Sequence, residues 1–199
     1  MITNKQEYYY YLSQDARNYQ EVSGRAGIVN CIKCRIFSTP ISDQSFIWKY
    51  IKTLRKCEYY LNTQNNKLGG FIKKLIYVFY LHRLRKLSRV TGFQIPPNTV
   101  GSGLTIWHWG PLIINGNASL GDNCILRPDI VIGYKNKKGA APKIGNNVVI
   151  NSGCRIIGND IMVGDNVILA PGAVVTKSVP SNCVVAGVPA QIIKRLEIK

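Results

Sequence analysis

Branched aliphatic residues recur every six positions through the second half of the chain. Ile114, Leu120, Leu126 and Ile132 form one run, and Ile144, Ile150 and Ile156 a second. Val163, Leu169 and Val175, displaced by one residue, form a third, and Val100 and Ile106 an upstream pair. Four residues after these anchors stand Ala118, Cys124, Ile130, Val148, Cys154, Val167 and Ala173, most of them small. Glycine follows the anchor at Gly101, Gly121, Gly133, Gly145 and Gly164. Such a period describes a coil with flat sides, each contributing one inward anchor. The small residue sits where the corner is tight, and Gly or Asn accepts positive φ in the turn. Stacked coils lie at strand spacing, so each satisfies its neighbour's backbone groups. The pattern predicts a parallel β-helix over residues 93–190. Cys124 and Cys154 occupy inward slots and read as packing residues, not reactive thiols.

Three interruptions break the period. Two extra residues fall in Trp107-His108-Trp109-Gly110-Pro111, and 133–143 is a polar, basic segment without an inward aliphatic. One more residue is inserted around Asn159-Asp160. Loops leaving a rigid scaffold are where function gathers. At alternating strand positions Trp107 and Trp109 would share one face and His108 take the other.

Residues 1–92 read differently. Segments 46–61 and 71–90 carry apolar residues at helical spacing, Gly69-Gly70 separates them, and Gly92 stops the second. Segment 71–90 is too apolar for a free surface helix, so one broad face is expected to be buried. His82, within it, reads as a packing or surface residue. Residues 191–199 read as a C-terminal tail.

Composition narrows the function. The 199 residues carry 26 Lys+Arg against 10 Asp+Glu, a formal charge of +16, and 46% are hydrophobic, which excludes a mostly disordered chain. No apolar run approaches the roughly 18–20 residues of a spanning helix, and the first residues lack the marks of a secretory signal. The expectation is a cytoplasmic protein, with weak attraction to the anionic inner face of the membrane. Two histidines cannot supply a three-imidazole metal site, and Cys31 and Cys34 have zinc-ligand spacing but no second pair. No metal is expected. No nucleic-acid recognition motif accompanies the charge.

Four segments carry a resemblance. They are Ile95-Pro96-Pro97-Asn98-Thr99, the stretch from Ile106 to Asn115, Ala141-Pro142-Lys143-Ile144-Gly145, and Gly172-Ala173-Val174-Val175 continuing to Ala190. Over residues 94–194 the chain resembles the hexapeptide-repeat acetyltransferases, and within them the serine acetyltransferase-like branch that includes capsular and exopolysaccharide O-acetyltransferases. The resemblance implies a left-handed β-helix behind an N-terminal helical assembly region, acetyl-CoA as co-substrate, and a homotrimer or dimer of trimers. It places His108 on the catalytic histidine, a general base for the acceptor hydroxyl as that oxygen attacks the thioester. It places Gly133, Ser152, Gly153, Ala170 and Pro171 in donor-binding turns and makes Lys177 a partner for coenzyme A phosphates. Asp15 falls in a stretch like an early acidic motif of the family.

Departures bear on the acceptor. Gln94 stands where relatives place an aspartate that orients the histidine, and an amide stabilises imidazolium less than a carboxylate does. Trp107 replaces an acidic residue, and Ala141 a second histidine, of the serine-specific enzymes. Trp107 and Trp109 offer aromatic faces to a sugar ring. The expectation is therefore acetyl transfer to a saccharide, with Asp15, Gln94, Trp107 and Trp109 around the acceptor. Serine O-acetylation and a non-catalytic scaffold are the alternatives.

Overall fold

The computed structural model describes residues 1–19, 43–64, 68–134, 136 and 139–197. The chain divides into two units, Met1–Thr91 and Gly92–Lys199. Cys31 and Cys34 lie outside the described residues.

The first unit is helical. Helix α1 spans Lys5–Ala16 and runs into a 3-10 turn, Arg17–Tyr19; α2 spans Asp43–Asn62 and α3 Leu68–Thr91. Helix α1 is started by reciprocal capping. The Asn4 side chain accepts from the Glu7 N–H at 2.9 Å, while the Glu7 carboxylate accepts from the Thr3 N–H at 2.6 Å and hydroxyl at 2.8 Å. In α2, Ile47, Ile51, Leu54 and Cys57 recur at helical intervals and are fully buried. Burial pushes the Cys57 thiol up to about 12, so it is a packing group.

Helix α3 buries one side and leaves a second apolar side exposed. Leu84 and Leu87 are buried, but Phe71, Ile72, Leu75, Val78 and Phe79 are each more than half exposed. At about 100° per residue the two sets fall on opposite sides of the helix. The segment is apolar on two faces, and packing covers one of them. His82 is exposed on this helix.

The second unit is a parallel β-helix of three faces. The first carries β1 (Phe93–Gln94), β3 (Leu112–Ile114), β6 (Ile130–Gly133), β9 (Arg155–Ile157) and β12 (Val174–Val175). The second carries β2 (Thr105–Ile106), β5 (Ile125–Leu126), β8 (Val149–Ile150), β11 (Ile168–Leu169), β13 (Cys183–Gly187) and β14 (Ala190–Arg195). The third carries β4 (Ser119–Leu120), β7 (Lys143–Ile144) and β10 (Met162–Val163). From β2 to β12 the chain visits second, first and third faces in rotation. All pairings are parallel except β13 with β14. Residues 190–195 are therefore a hairpin strand closing the second face; the expected tail is corrected there.

The six-residue anchors stack on themselves. Ile114, Ile132, Ile156 and Val175 align on the first face, and Ile106, Leu126, Ile150 and Leu169 on the second. Val100, Leu120, Ile144 and Val163 align on the third. Every one is buried, as are the small-slot residues Ala118, Cys124, Cys154 and Ala173. Burial raises the Cys124 thiol to about 11, in keeping with a packing role.

The glycine after the anchor has a different reason from the expected one. Positive φ belongs to the residue two further on: Gly103 at 73°, Asn123 at 56°, Asn147 at 55° and Asn166 at 55°; Asn182, at 58°, follows Pro180 in the same way. Gly121 and Gly145 are needed because a Cβ would collide with the Asn146 and Asp165 side-chain oxygens of the next coil. Those oxygens form a ladder. The Asp122 N–H donates to Asn146 Oδ1 at 2.8 Å, and the Asn146 N–H to Asp165 Oδ1 at 2.6 Å. Alongside, Asn147 Nδ2 donates to Asn166 Oδ1 at 3.1 Å, and Asn166 Nδ2 to Asn182 Oδ1 at 2.8 Å.

Candidate active site

His108 lies in the corner that turns from β2 on the second face to β3 on the first. The corners stacked with it are 127–129, 151–154 and 170–173. Backbone bonds fix the stack: Trp107 N–H to Leu126 O at 3.3 Å, Arg127 N–H to Ile150 O at 3.1 Å, and Gly172 N–H to Ser152 O at 2.9 Å. The two extra residues make the His108 corner the widest of the four. Gly110 lets it close over the coil below, because a Cβ there would stand 2.9 Å from Pro128 Cβ.

Strand β2 ends at Ile106 and β3 begins at Leu112, so 107–111 is not a strand. The expected alternation is corrected: Trp107, His108 and Trp109 are all exposed, the tryptophans at 49% and 39%. A wide corner has no pleat to send neighbouring side chains to opposite faces. His108 is thus exposed, with an exposed tryptophan on each side of it in the chain.

Ser152, Gly153, Ala170 and Pro171 lie on this same edge, one and two coils beyond 127–129. Gly133 and Lys177 do not. They lie along the opposite edge of the first face, at the corners leading from it to the third. The donor residues expected from sequence therefore divide between two edges. Between them runs an outward row of Gln94, Ile113, Val131, Arg155 and Val174 in register, with Ile157 opposite Gly133. Ile113 and Ile157 are each 37% exposed, so this strip is largely apolar.

Strand β6 ends at Gly133 and β7 begins at Lys143, and the third interruption holds the described residues between them. Asn159 Nδ2 donates to Asn136 Oδ1 at 2.8 Å, the Ala140 N–H to Asp160 Oδ1 at 3.0 Å, and the Asp160 N–H to Ala140 O at 2.8 Å. The inserted residue of one coil thus clamps the loop of the coil before it. Beside the clamp is a hollow of about 120 Å³ lined by Ala140, Ala141, Lys143, Asp160, Ile161 and Met162.

Two residues escaped the sequence reading. Arg155 Nη2 lies 2.9 Å from Asp129 Oδ1, and Nη1 donates to the Asp129 carbonyl, on the His108 edge between that corner and the Ser152 corner. Asp129 has φ 63°, and the partners stand 26 positions apart. The available signal was a carboxylate at a corner position where the next two coils have Gly153 and Gly172.

Asp15 requires a correction. Its carboxylate is fully buried and accepts from Arg55 Nε at 2.8 Å, and Arg55 Nη1 donates to Glu58 at 3.0 Å. The pair holds α1 to α2, so no face of Asp15 is open to an acceptor in this structure. Burial alone would lower the Arg55 pKa, but the Glu58 and Asp15 carboxylates hold it above its ordinary value.

Among the described residues, no group of three or more His, Cys, Asp or Glu side chains could hold a metal ion.

The chain is similar in sequence and in fold to serine acetyltransferases. It is 36% identical over 120 residues to the serine acetyltransferase of Synechococcus elongatus, covering 58% of this chain and 49% of that one. The chain spans about half the length of the curated relatives it matches. The serine acetyltransferase of Brucella abortus superposes with a TM-score of 0.69 at 26% identity, covering 98% of this chain and 72% of that one. A serine acetyltransferase solved in complex with CoA has a TM-score of 0.64 at 21% identity, over 94% of this chain and 73% of that one, a likeness of fold. No family model matches the chain.

Proposed function

We propose that the protein is an acetyl-CoA-dependent O-acetyltransferase in which His108 is the general base. The observation that carries this is the wide corner itself: an exposed imidazole at the head of an edge whose next corners are the small turns of Ser152–Gly153 and Ala170–Pro171. Imidazole takes the acceptor's hydroxyl proton as the oxygen attacks the thioester carbonyl, and returns it to the departing thiolate. The thioester is already activated, so no nucleophilic side chain is needed. Gly133 and Lys177, on the far edge, take the distal part of the donor. The CoA complex of a relative supports this choice of donor. The left-handed sense of the coil, a homotrimer or dimer of trimers, and a cytoplasmic place with weak attraction to anionic membrane belong to the same reading.

For the acceptor, the relatives' names favour serine over the saccharide expected from the sequence. A saccharide is retained as the second reading on one observation, the exposed Trp107 and Trp109 rings flanking His108. Trp107 and Ala141 also stand where the serine-specific enzymes carry an acidic residue and a second histidine.

The test is thiol release from acetyl-CoA with serine and with purified glycans side by side, for the native chain and for His108→Ala. The variant should lose about a hundred- to ten-thousand-fold in turnover while keeping fold and coenzyme A affinity. Near-normal turnover in His108→Ala removes the mechanism, and the preferred acceptor decides between the two readings.

A further inference from the structure

The helical unit holds a cleft that the transfer reaction does not use. Its volume is about 490 Å³, within the range of roughly 300–1,000 Å³ of small-molecule sites. It lies between α1, α2 and α3, and Tyr8, Tyr59, Tyr60 and Tyr80 form its walls, with Lys5 and Lys56 at the lining. Tyr60 and Tyr80 stack at 5.6 Å with 7° between planes, and Tyr8 meets Tyr59 at 5.5 Å. Lys56 Nζ sits 5.2 Å from the Tyr80 ring centre and 3.3 Å from its hydroxyl.

A second hollow, about 150 Å³, shares Lys56 and Tyr80 and adds Lys49, Lys52 and Arg83. Among the described residues, no carboxylate lines either hollow. Glu58 and Asp15 are committed to Arg55, and Glu7 to Thr3. The cations crowd one another: burial and the charges of Lys56, Arg83 and Lys49 lower the Lys52 pKa. Tyr8 is raised to about 12 by burial and the neighbouring phenols, so its hydroxyl stays neutral.

We propose that this cleft binds an anionic saccharide, the C–H faces of its sugar rings against the tyrosines and its carboxylate or phosphate on Lys56 and Lys5. Each part of the cleft answers a part of that ligand. Aromatic faces and phenolic hydroxyls suit a ring with one apolar face and a hydroxylated rim. The ammonium groups of Lys56 and Lys5 suit the anion. A bare phosphate would leave the rings unused, and a neutral sugar would leave the charges unanswered. The proposal stands whichever acceptor His108 serves.

Isothermal titration of the full chain tests it with four probes. They are a tetrasaccharide alternating glucuronic acid and N-acetylglucosamine, a neutral N-acetylglucosamine tetrasaccharide with its reducing end left free, a second neutral control of maltotetraose, and pyrophosphate. The acidic tetrasaccharide should bind at least about tenfold more tightly than each of the others. Lys56→Gln and the exposed Lys5→Gln should each weaken it by about fivefold, Tyr60→Leu should weaken the acidic and neutral sugars alike, and His108→Ala should bind as the native chain does. Equal binding of the acidic and neutral sugars, no binding of the acidic one, or tighter binding of pyrophosphate overturns the proposal. So does full affinity in folded Lys56→Gln and Lys5→Gln. Failure of the acetyl-transfer reading would appear in the thiol assay and leave these titrations unchanged.

Discussion

At Arg55 three charges share a space that water does not reach. Its side chain and that of Asp15 are fully buried, Glu58 is 2% exposed, and the Tyr11 ring lies 4.9 Å from the guanidinium carbon. Desolvation offsets much of the attraction in such a group, so its net contribution is modest. Removing one member is another matter. Arg55→Met leaves two buried carboxylates facing each other and should cost about 3–5 kcal/mol. Urea unfolding followed by circular dichroism at 222 nm reads this, and a loss below about 1 kcal/mol would mean the carboxylates reach water by another route. Nothing local in the sequence couples Asp15 to Arg55, which lie 40 positions apart.

At the scale of elements, the asparagine corner ties successive coils together. Asn166 holds φ 55° and is bonded on both sides, to Asn147 and Asn182. Asn166→Ala loses two exposed hydrogen bonds and the polar side chain that lets asparagine hold the left-handed region, together about 2 kcal/mol. Asn166→Gly loses the same bonds but relaxes the backbone, so it should cost about half as much. Thermal unfolding of both variants separates the contributions; equal losses would show that φ is irrelevant there. The ladder was half legible. Asparagine in the turn announced positive φ, but the glycine beside it answers to a side chain of the next coil, which only stacking brings near.

The whole molecule carries +16 and, on α3, an apolar stripe from Phe71 to Phe79 left uncovered by packing. Lys74, Arg85, Lys86 and Arg89 are exposed on the same helix. An apolar stripe with basic neighbours favours the surface of an anionic bilayer, at about 1 kcal/mol for each Lys or Arg that reaches it. No helix among the described residues is long and apolar enough to cross. Sedimentation with anionic vesicles should carry the protein down at low salt and release it at moderate salt, while neutral vesicles carry little. Phe71→Ser with Phe79→Ser should weaken the binding without changing its salt dependence. Equal binding to both lipids would assign the charge to solubility alone.

The hexapeptide coil was determined by the sequence itself, because each anchor is buried by the same repeated geometry and one period therefore describes every coil. The two long helices were legible for the same reason, as apolar residues recurring at helical spacing. Helix α1 was not, since its tyrosine run has no period to read. The tertiary structure alone decided which corners share an edge with His108. That depends on where two inserted residues and one loop fall along the wound chain, and stacking turns those shifts into positions in space. It also decided that Gly133 and Lys177 stand across the first face from Ser152 and Pro171, and that Asp15 answers to Arg55. Such pairings join residues tens of positions apart, where burial and charge act through space and leave no periodic trace along the chain.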